Sequence, residues 1–187
     1  MKLRNILILL AILLALGGYF YFSNLPKPAP EKEKRFEVWS IDEEVLQRIE
    51  IRLPPENKRQ TFIKETIINT HNETDVSWHF DDAQRSSVNM TRWGGMTLLL
   101  NGPGAERVIA TNATQEKLAA FGLTQPRMEI TLTLADGQAL NITVGDKTPD
   151  GHAFYVQVPG SNNVATVDIS WYQVVERLVK EPPYAGP

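Results

Sequence analysis

The sequence predicts an α+β chain, with an N-terminal transmembrane helix followed by a mostly antiparallel sheet domain carrying a few helices. Three observations predict it. Ile6 to Phe22 is an unbroken apolar run without a charge. From Ile49 onward, short segments alternate apolar and polar residues and are separated by Pro, Gly, Asp and Asn, the pattern of strands and turns. Two stretches, around Trp93 and Trp171, take helical spacing instead and close near proline.

The apolar run comes first. As a helix it would be about 25 Å long, near the lower limit for a bilayer core of roughly 30 Å. Lys2 and Arg4 precede it, and Ala15-Leu16-Gly17 offers a small-residue cleavage site, so a cleaved signal peptide is the rival reading. The run continues through Tyr19, Phe20, Tyr21 and Phe22, aromatics that suit an interfacial belt. That favours an uncleaved anchor over residues 1–24. Ala11, Ala15 and Gly18 share one face of it and would allow close helix packing, although small residues are common in any membrane helix. Lys27, Lys32, Lys34 and Arg35 follow the run, so charge alone does not favour an inside N-terminus. The very short leading tail does. The expectation is a single pass through the inner (cytoplasmic) membrane, with the C-terminal domain periplasmic or otherwise extracytoplasmic.

Residues 25–35 form a stalk, three prolines and then alternating charge, extended in character. Six of the 19 basic and two of the 22 acidic residues precede Phe36, leaving 13 against 20, a net of −7 for the remainder. An acidic domain of this kind excludes nucleic acid as a partner. The chain has no cysteine, which removes disulfides, thiolate chemistry, cysteine metal sites and lipoprotein acylation.

Within the domain, Ile49 to Leu53 is a strand, Pro54 to Asn57 a turn, and Thr61-Phe62-Ile63 and Trp78-His79-Phe80 two further strands. Ser86 to Asn101 reads as a helix weakened by Gly94-Gly95 and closed at Gly102-Pro103. Glu106 to Ala110 is a strand, and Thr114 caps a short helix. Met128 to Leu134 and Leu140 to Val144 form a hairpin through Asp136-Gly137. Phe154 to Val158 and Val164 to Val167 form another. Asp168 or Ser170 caps a helix with apolar positions Trp171, Val174, Val175 and Leu178, ending at Pro182-Pro183. Strand-strand-strand-helix thus runs twice, over 36–104 and 105–187. This reads as two duplicated halves, against the alternative of two ordinary α+β segments. The four tryptophans read as core rather than sugar platforms, and Pro182 to Pro187 as a docking tail or a frayed end.

No catalytic, cofactor or metal residue is assigned. Asp146-Lys-Thr-Pro-Asp150-Gly-His152 gathers oxygen and nitrogen ligands but lacks the calcium-loop pattern, and its residues are ordinary turn formers. His71, Glu73, Asp75, His79, Asp81 and Asp82 match no known motif. There is no strained serine turn and no phosphate-binding glycine loop.

Phe121-Gly122-Leu123-Thr-Gln-Pro126 is followed by Asp136-Gly137, Val144-Gly145-Asp146 and Phe154-Tyr155-Val156. In this order and spacing the chain resembles a bacterial family, domain-of-unknown-function family 4340, most closely over 105–178. The resemblance implies a membrane anchor, an extracytoplasmic domain and, for some members, association with ABC-transporter genes. It implies no reaction. The motif residues have architectural tasks: Gly122 ends a helix in the left-handed conformation with Leu123 packing back, Pro126 stops the helix, and Gly145 allows close backbone approach.

Together these readings predict an accessory or scaffold subunit of an inner-membrane complex, transporter-associated or energy-transducing. It would act through contacts with integral membrane subunits rather than by catalysis, and without a cofactor. The alternatives are a binding module for an envelope glycan or peptide and, behind it, a metal-dependent hydrolase.

Overall fold

The computed structural model describes residues 16–17, 38–68, 74–105 and 107–184. The chain divides into two units, Met1–Lys34 and Arg35–Pro187. Of the expected anchor only Leu16 and Gly17 are described, both helical. Ala11, Ala15, Gly18, Tyr19 to Phe22 and the stalk lie outside the described residues. Among the described residues no helix is long and apolar enough to cross a membrane.

The second unit is built on one eight-stranded sheet. In chain order the elements are β1 (Leu46–Leu53), β2 (Lys58–Ile68), β3 (Thr74–Phe80), α1 (Met90–Trp93), α2 (Met96–Asn101), β4 (Arg107–Ala110), α3 (Gln115–Ala120), β5 (Met128–Leu134), β6 (Ala139–Lys147), β7 (Ala153–Gln157), β8 (Val164–Asp168) and α4 (Ile169–Lys180). The strands lie in the order β3-β2-β1-β5-β6-β7-β8-β4, and every neighbouring pair is antiparallel. The expected mostly antiparallel α+β domain is what forms. The opening strands of the two expected halves, β1 and β5, are neighbours, with Ile51 opposite Ile130, but the expected strand-strand-strand-helix order holds only for the first: the second carries β4 and α3 and then four strands, β5 to β8, before α4.

Period-two alternation decides which face each side chain takes. Ile49 and Ile51 of β1 align with Leu132 and Ile130 of β5, and these four, with Leu53 and Met128, are fully buried. Between them Arg48, Glu50 and Arg52 point to the other face. Helix α4 packs on the buried face against β1, β2, β7 and β8. Asp168 caps it by accepting from the Ser170 amide at 2.6 Å, and its inward stripe is Trp171, Tyr172, Val175, Leu178 and Val179. Burying each such side chain contributes about 1.5–3 kcal/mol.

The expected helix from Ser86 to Asn101 is broken into parts. Ser87 bridges to His79 and Val88 to Tyr184, so this segment runs extended beside β3. Asn89 then caps α1, accepting from the amides of Thr91 and Arg92. Gly95, at φ +79°, turns the chain into α2. Two glycines in succession remove the helical preference that would have joined the pieces.

Trp93 of α1 enters the core against Phe62 at 4.6 Å and Trp78 at 5.5 Å. Trp39 and Trp171 meet edge to face at 5.8 Å. All four tryptophans are buried, as their core reading requires. Helix α2 has no side-chain cap. Its last carbonyls are satisfied from outside: Leu99 O accepts from the Trp171 indole at 3.0 Å, Leu100 O from the Trp39 indole at 2.9 Å, and Asn101 O from the Ile41 amide at 2.7 Å. A six-residue helix has most of its terminal groups unpaired, so these donors are what hold it.

Strand β4 lies beyond β8, at the far edge. The chain from β4 to β5 therefore crosses the face opposite α4. There Ala113, Leu118, Leu123 and Val164 form a second, smaller core, with Ile109, Phe121 and Tyr155 against it.

Candidate functional site

The motif residues Phe121, Gly122, Leu123, Gly145 and Tyr155 come together in that second core. The Gly122 amide donates to Ala119 O at 3.0 Å and the Leu123 amide to Leu118 O at 2.9 Å. This is the paired closure of a helix ending in a left-handed residue, and Gly122 has φ +72°. Leu123 is buried beside Leu118. The turn is then fastened to β6, where the Asp146 amide donates to Phe121 O at 2.8 Å. The Phe121 and Tyr155 rings lie 4.6 Å apart. Arg127 reaches back, its Nε 2.9 Å from Asp146 Oδ1. Pro126 stands just before β5, and the next amide, Arg127, donates to Val144 O at 2.9 Å.

Asp136 and Gly137 are at the other end of the same hairpin, about 20 Å away at strand rise. Gly137 adopts φ +83°, and Asp136 accepts from the Gln138 amide at 2.9 Å. The motif therefore marks both ends of the β5–β6 hairpin. Its groups are engaged in backbone geometry and packing.

The loop from Asp146 to His152 does not converge on an ion position. Thr148 donates to Asp150 Oδ1 at 2.6 Å, and the same oxygen accepts from the His152 amide at 3.2 Å. The Thr148 hydroxyl, then the His152 amide, hold the Asp150 carboxyl below its ordinary value. Asp146 faces Arg127 instead. On β3, the carbonyl of Arg85 accepts from His79 Nδ1 at 2.9 Å, which leaves Nε2 to the Ser77 hydroxyl at 2.8 Å. Asp81 pairs with Arg48 at 2.6 Å. Asp82 accepts from the Ser86 amide at 2.9 Å, a bond that lowers its carboxyl pKa. His71 and Glu73 lie outside the described residues. Among the described residues, no group of three or more His, Asp or Glu side chains is placed to hold a metal ion, and no buried side-chain nitrogen or oxygen lacks a partner.

The feature that packing does not explain is apolar. Leu98 of α2 is 64% exposed, on the rim of an open cleft of about 390 Å³ lined by Leu99, Gly102, Pro103, Trp171 and, as its charged member, Asp168. The first described residue of the domain, Val38, donates to Pro103 O at 3.2 Å beside it. Sequence reasoning passed over this cleft. The run Leu98-Leu99-Leu100 held the signal, because three consecutive leucines on one helix cannot all face the core.

The C-terminal segment is docked rather than frayed through Tyr184. Arg92 donates to Glu181 O at 2.6 Å and Pro182 O at 3.2 Å, and the Asn89 amide donates to Pro183 O at 2.7 Å. The Tyr184 ring stacks on Phe80 at 4.1 Å.

Compared with known proteins, residues 78–177 match the family described as Domain of unknown function (DUF4340). No curated protein and no solved structure matches the chain.

Proposed function

The chain belongs to the DUF4340 family, and from that premise we propose that it is a single-pass, membrane-anchored accessory subunit. It holds an inner-membrane assembly, transporter-associated or energy-transducing, through protein contacts made outside the cytoplasm. The observation that carries this reading is Leu98, exposed on an open and mostly apolar cleft. Burying a leucine on a partner is worth about 1.5–3 kcal/mol. The anchor supplies the remainder by confining the domain near its membrane partners, which raises their effective concentration. The partner surface that fits is an apolar side chain or helix end presented by an integral membrane subunit. The same reading keeps the two halves as a duplication about the antiparallel β1–β5 seam; halves 36–104 and 105–187 whose backbones fail to superpose by a two-fold rotation about that seam would sink it.

The test uses the full chain in its own membrane, with a photo-crosslinking residue at Leu98 and, as control, at Thr131 on the opposite sheet face. The expected result is a crosslink to an integral membrane protein from position 98 alone. On native gels after mild detergent extraction, Leu98→Asp should abolish co-migration. A chain that migrates alone, or a complex indifferent to Leu98→Asp, overturns the proposal.

A further inference from the structure

The face opposite α4 carries a second open concavity with different chemistry. Asn141 and Thr143 of β6 and Gln157 of β7 point to this face, and the β7–β8 turn adds Ser161 and Asn162. Together they line a trough of about 320 Å³ whose lining side chains are uncharged; Glu129, opposite Thr143 on β5, stands beside it and is paired with Arg52 at 3.2 Å. Thr143 and Gln157 are directly opposed across the strands, and Asn141 is two positions along, on the same side.

The internal hydrogen bonds orient these groups. Thr131 donates to Asn141 Oδ1 at 3.1 Å, which turns the Asn141 amide nitrogen outward as a donor. Gln157 Nε2 donates to Ser161 O at 2.9 Å, which leaves Oε1 as an acceptor. The Thr143 hydroxyl, with no partner among the described residues, serves as either. Two residues along β7 on the same face stands Tyr155, half-buried and supported by Phe121.

We propose that this trough binds a neutral glycan segment of one to two sugar units. A row of donor, donor-acceptor and acceptor matches sugar hydroxyls, each of which gives and takes a hydrogen bond. The charges beside it on this face, Glu129 and Arg52, already pair with each other, so a charged ligand would lose hydration without a free opposite charge to meet. An extended peptide is disfavoured because peptides pair with sheet edges, whereas the backbone groups here are consumed by β5–β6 and β6–β7 pairing. The inference is independent of the docking reading, since the cleft and the trough are on opposite sides of the sheet.

The experiment is saturation-transfer NMR and titration on the full chain in a detergent without a sugar head group. The probes are maltotriose, cellotriose and diacetylchitobiose, with sialyllactose and triglycine as charged and peptide controls. At least one neutral probe should bind below about 10 mM. Asn141→Ala and Gln157→Ala should each weaken it about ten-fold, the scale of one lost hydrogen bond. Thr143→Val, nearly isosteric at a side chain with no partner among the described residues, should weaken it without lowering the melting temperature. No neutral probe binding by about 10 mM, equal binding by the variants, or binding only of sialyllactose or triglycine overturns the proposal.

Discussion

Gly145 and Phe121 are in direct backbone contact across two segments. A Cβ built on Gly145 would stand 2.2 Å from the Phe121 carbonyl oxygen and 3.1 Å from Gly122 C. The neighbours are main-chain atoms, so no rotamer change relieves the clash. Gly145→Ala should lower the unfolding free energy by about 2–3 kcal/mol, at the upper end of overpacking costs. Gly122→Ala should act similarly for a different reason, being strained at φ +72° and pressed 2.6 Å against the Asp146 carboxylate. Urea denaturation of both variants checks this, and an unchanged midpoint in Gly145→Ala would contradict the contact.

The two indoles that close α2 give a second expectation. Trp39→Phe and Trp171→Phe keep an aromatic ring but remove the donors to Leu100 O and Leu99 O. Each should cost about 1–3 kcal/mol, the penalty of a carbonyl left without its partner. Because the rings touch, the double variant should not be additive. A thermodynamic cycle on the two singles and the double measures the coupling.

Tyr172 makes stability fall at alkaline pH. Burial first, then the nearby Glu176 carboxylate, pushes its phenol up to about 12 from 10.0. The unfolded chain releases this proton near the ordinary tyrosine value while the folded chain keeps it. Stability is therefore full below about pH 10 and declines as pH rises from there toward about 12. Tyr172→Phe, with the ring stack on Phe154 at 3.8 Å retained, should remove that part of the decline. Melting temperatures from pH 8 to 12 on both proteins provide the comparison; identical slopes would refute it.

The C-terminal segment should behave as part of the fold. Tyr184→Ala loses the stack on Phe80 and should cost about 1 kcal/mol. Removing residues 182–187 also takes away Pro183 O, the acceptor for the Asn89 amide. Hydrogen exchange at Asn89 should then accelerate. Unchanged protection there would mean the segment contributes nothing to α1.

Low pH should loosen one end of α4. Lys180 lies 2.7 Å from Glu56 at the β1–β2 turn and 3.0 Å from Glu176. The hydrogen bonds from Lys180, then Lys58, lower the Glu56 pKa. A depressed carboxylate stabilises above its unfolded value, and that contribution is lost as pH falls through the folded one. Glu56→Gln should flatten the acid limb slightly, the pair being exposed and of small worth. Acid titration of the two proteins by circular dichroism reads the difference.

Much of the domain was legible because its rules are local. Alternation over Met128 to Leu134 and Leu140 to Val144, with Asp-Gly between, specifies a hairpin and the side chains it buries, since the strand period is two and the turn needs φ > 0. The spacing of Trp171, Val175 and Leu178 specifies the inner face of α4 in the same way. Gly122 was recognisable as a helix terminator, because only glycine takes that conformation at no cost.

Other features depended on segments far apart in sequence. That the segment before Asn89 runs extended rather than helical was settled in part by the bridge from Val88 to Tyr184, a pairing that no local window contains. The roles of Trp39 and Trp171 as donors to α2 rest on partners 61 and 72 residues away. The sequence by itself determined most of the strands, the buried faces of the β5–β6 hairpin and of α4, and the glycine turns, because propensity and periodicity act within a few residues. Only the tertiary structure decided that β1 and β5 adjoin, that Leu98 is exposed while Leu100 is buried, and that Asn141, Thr143 and Gln157 share one trough. Those outcomes depend on strand order and register, set by the summed packing of distant segments.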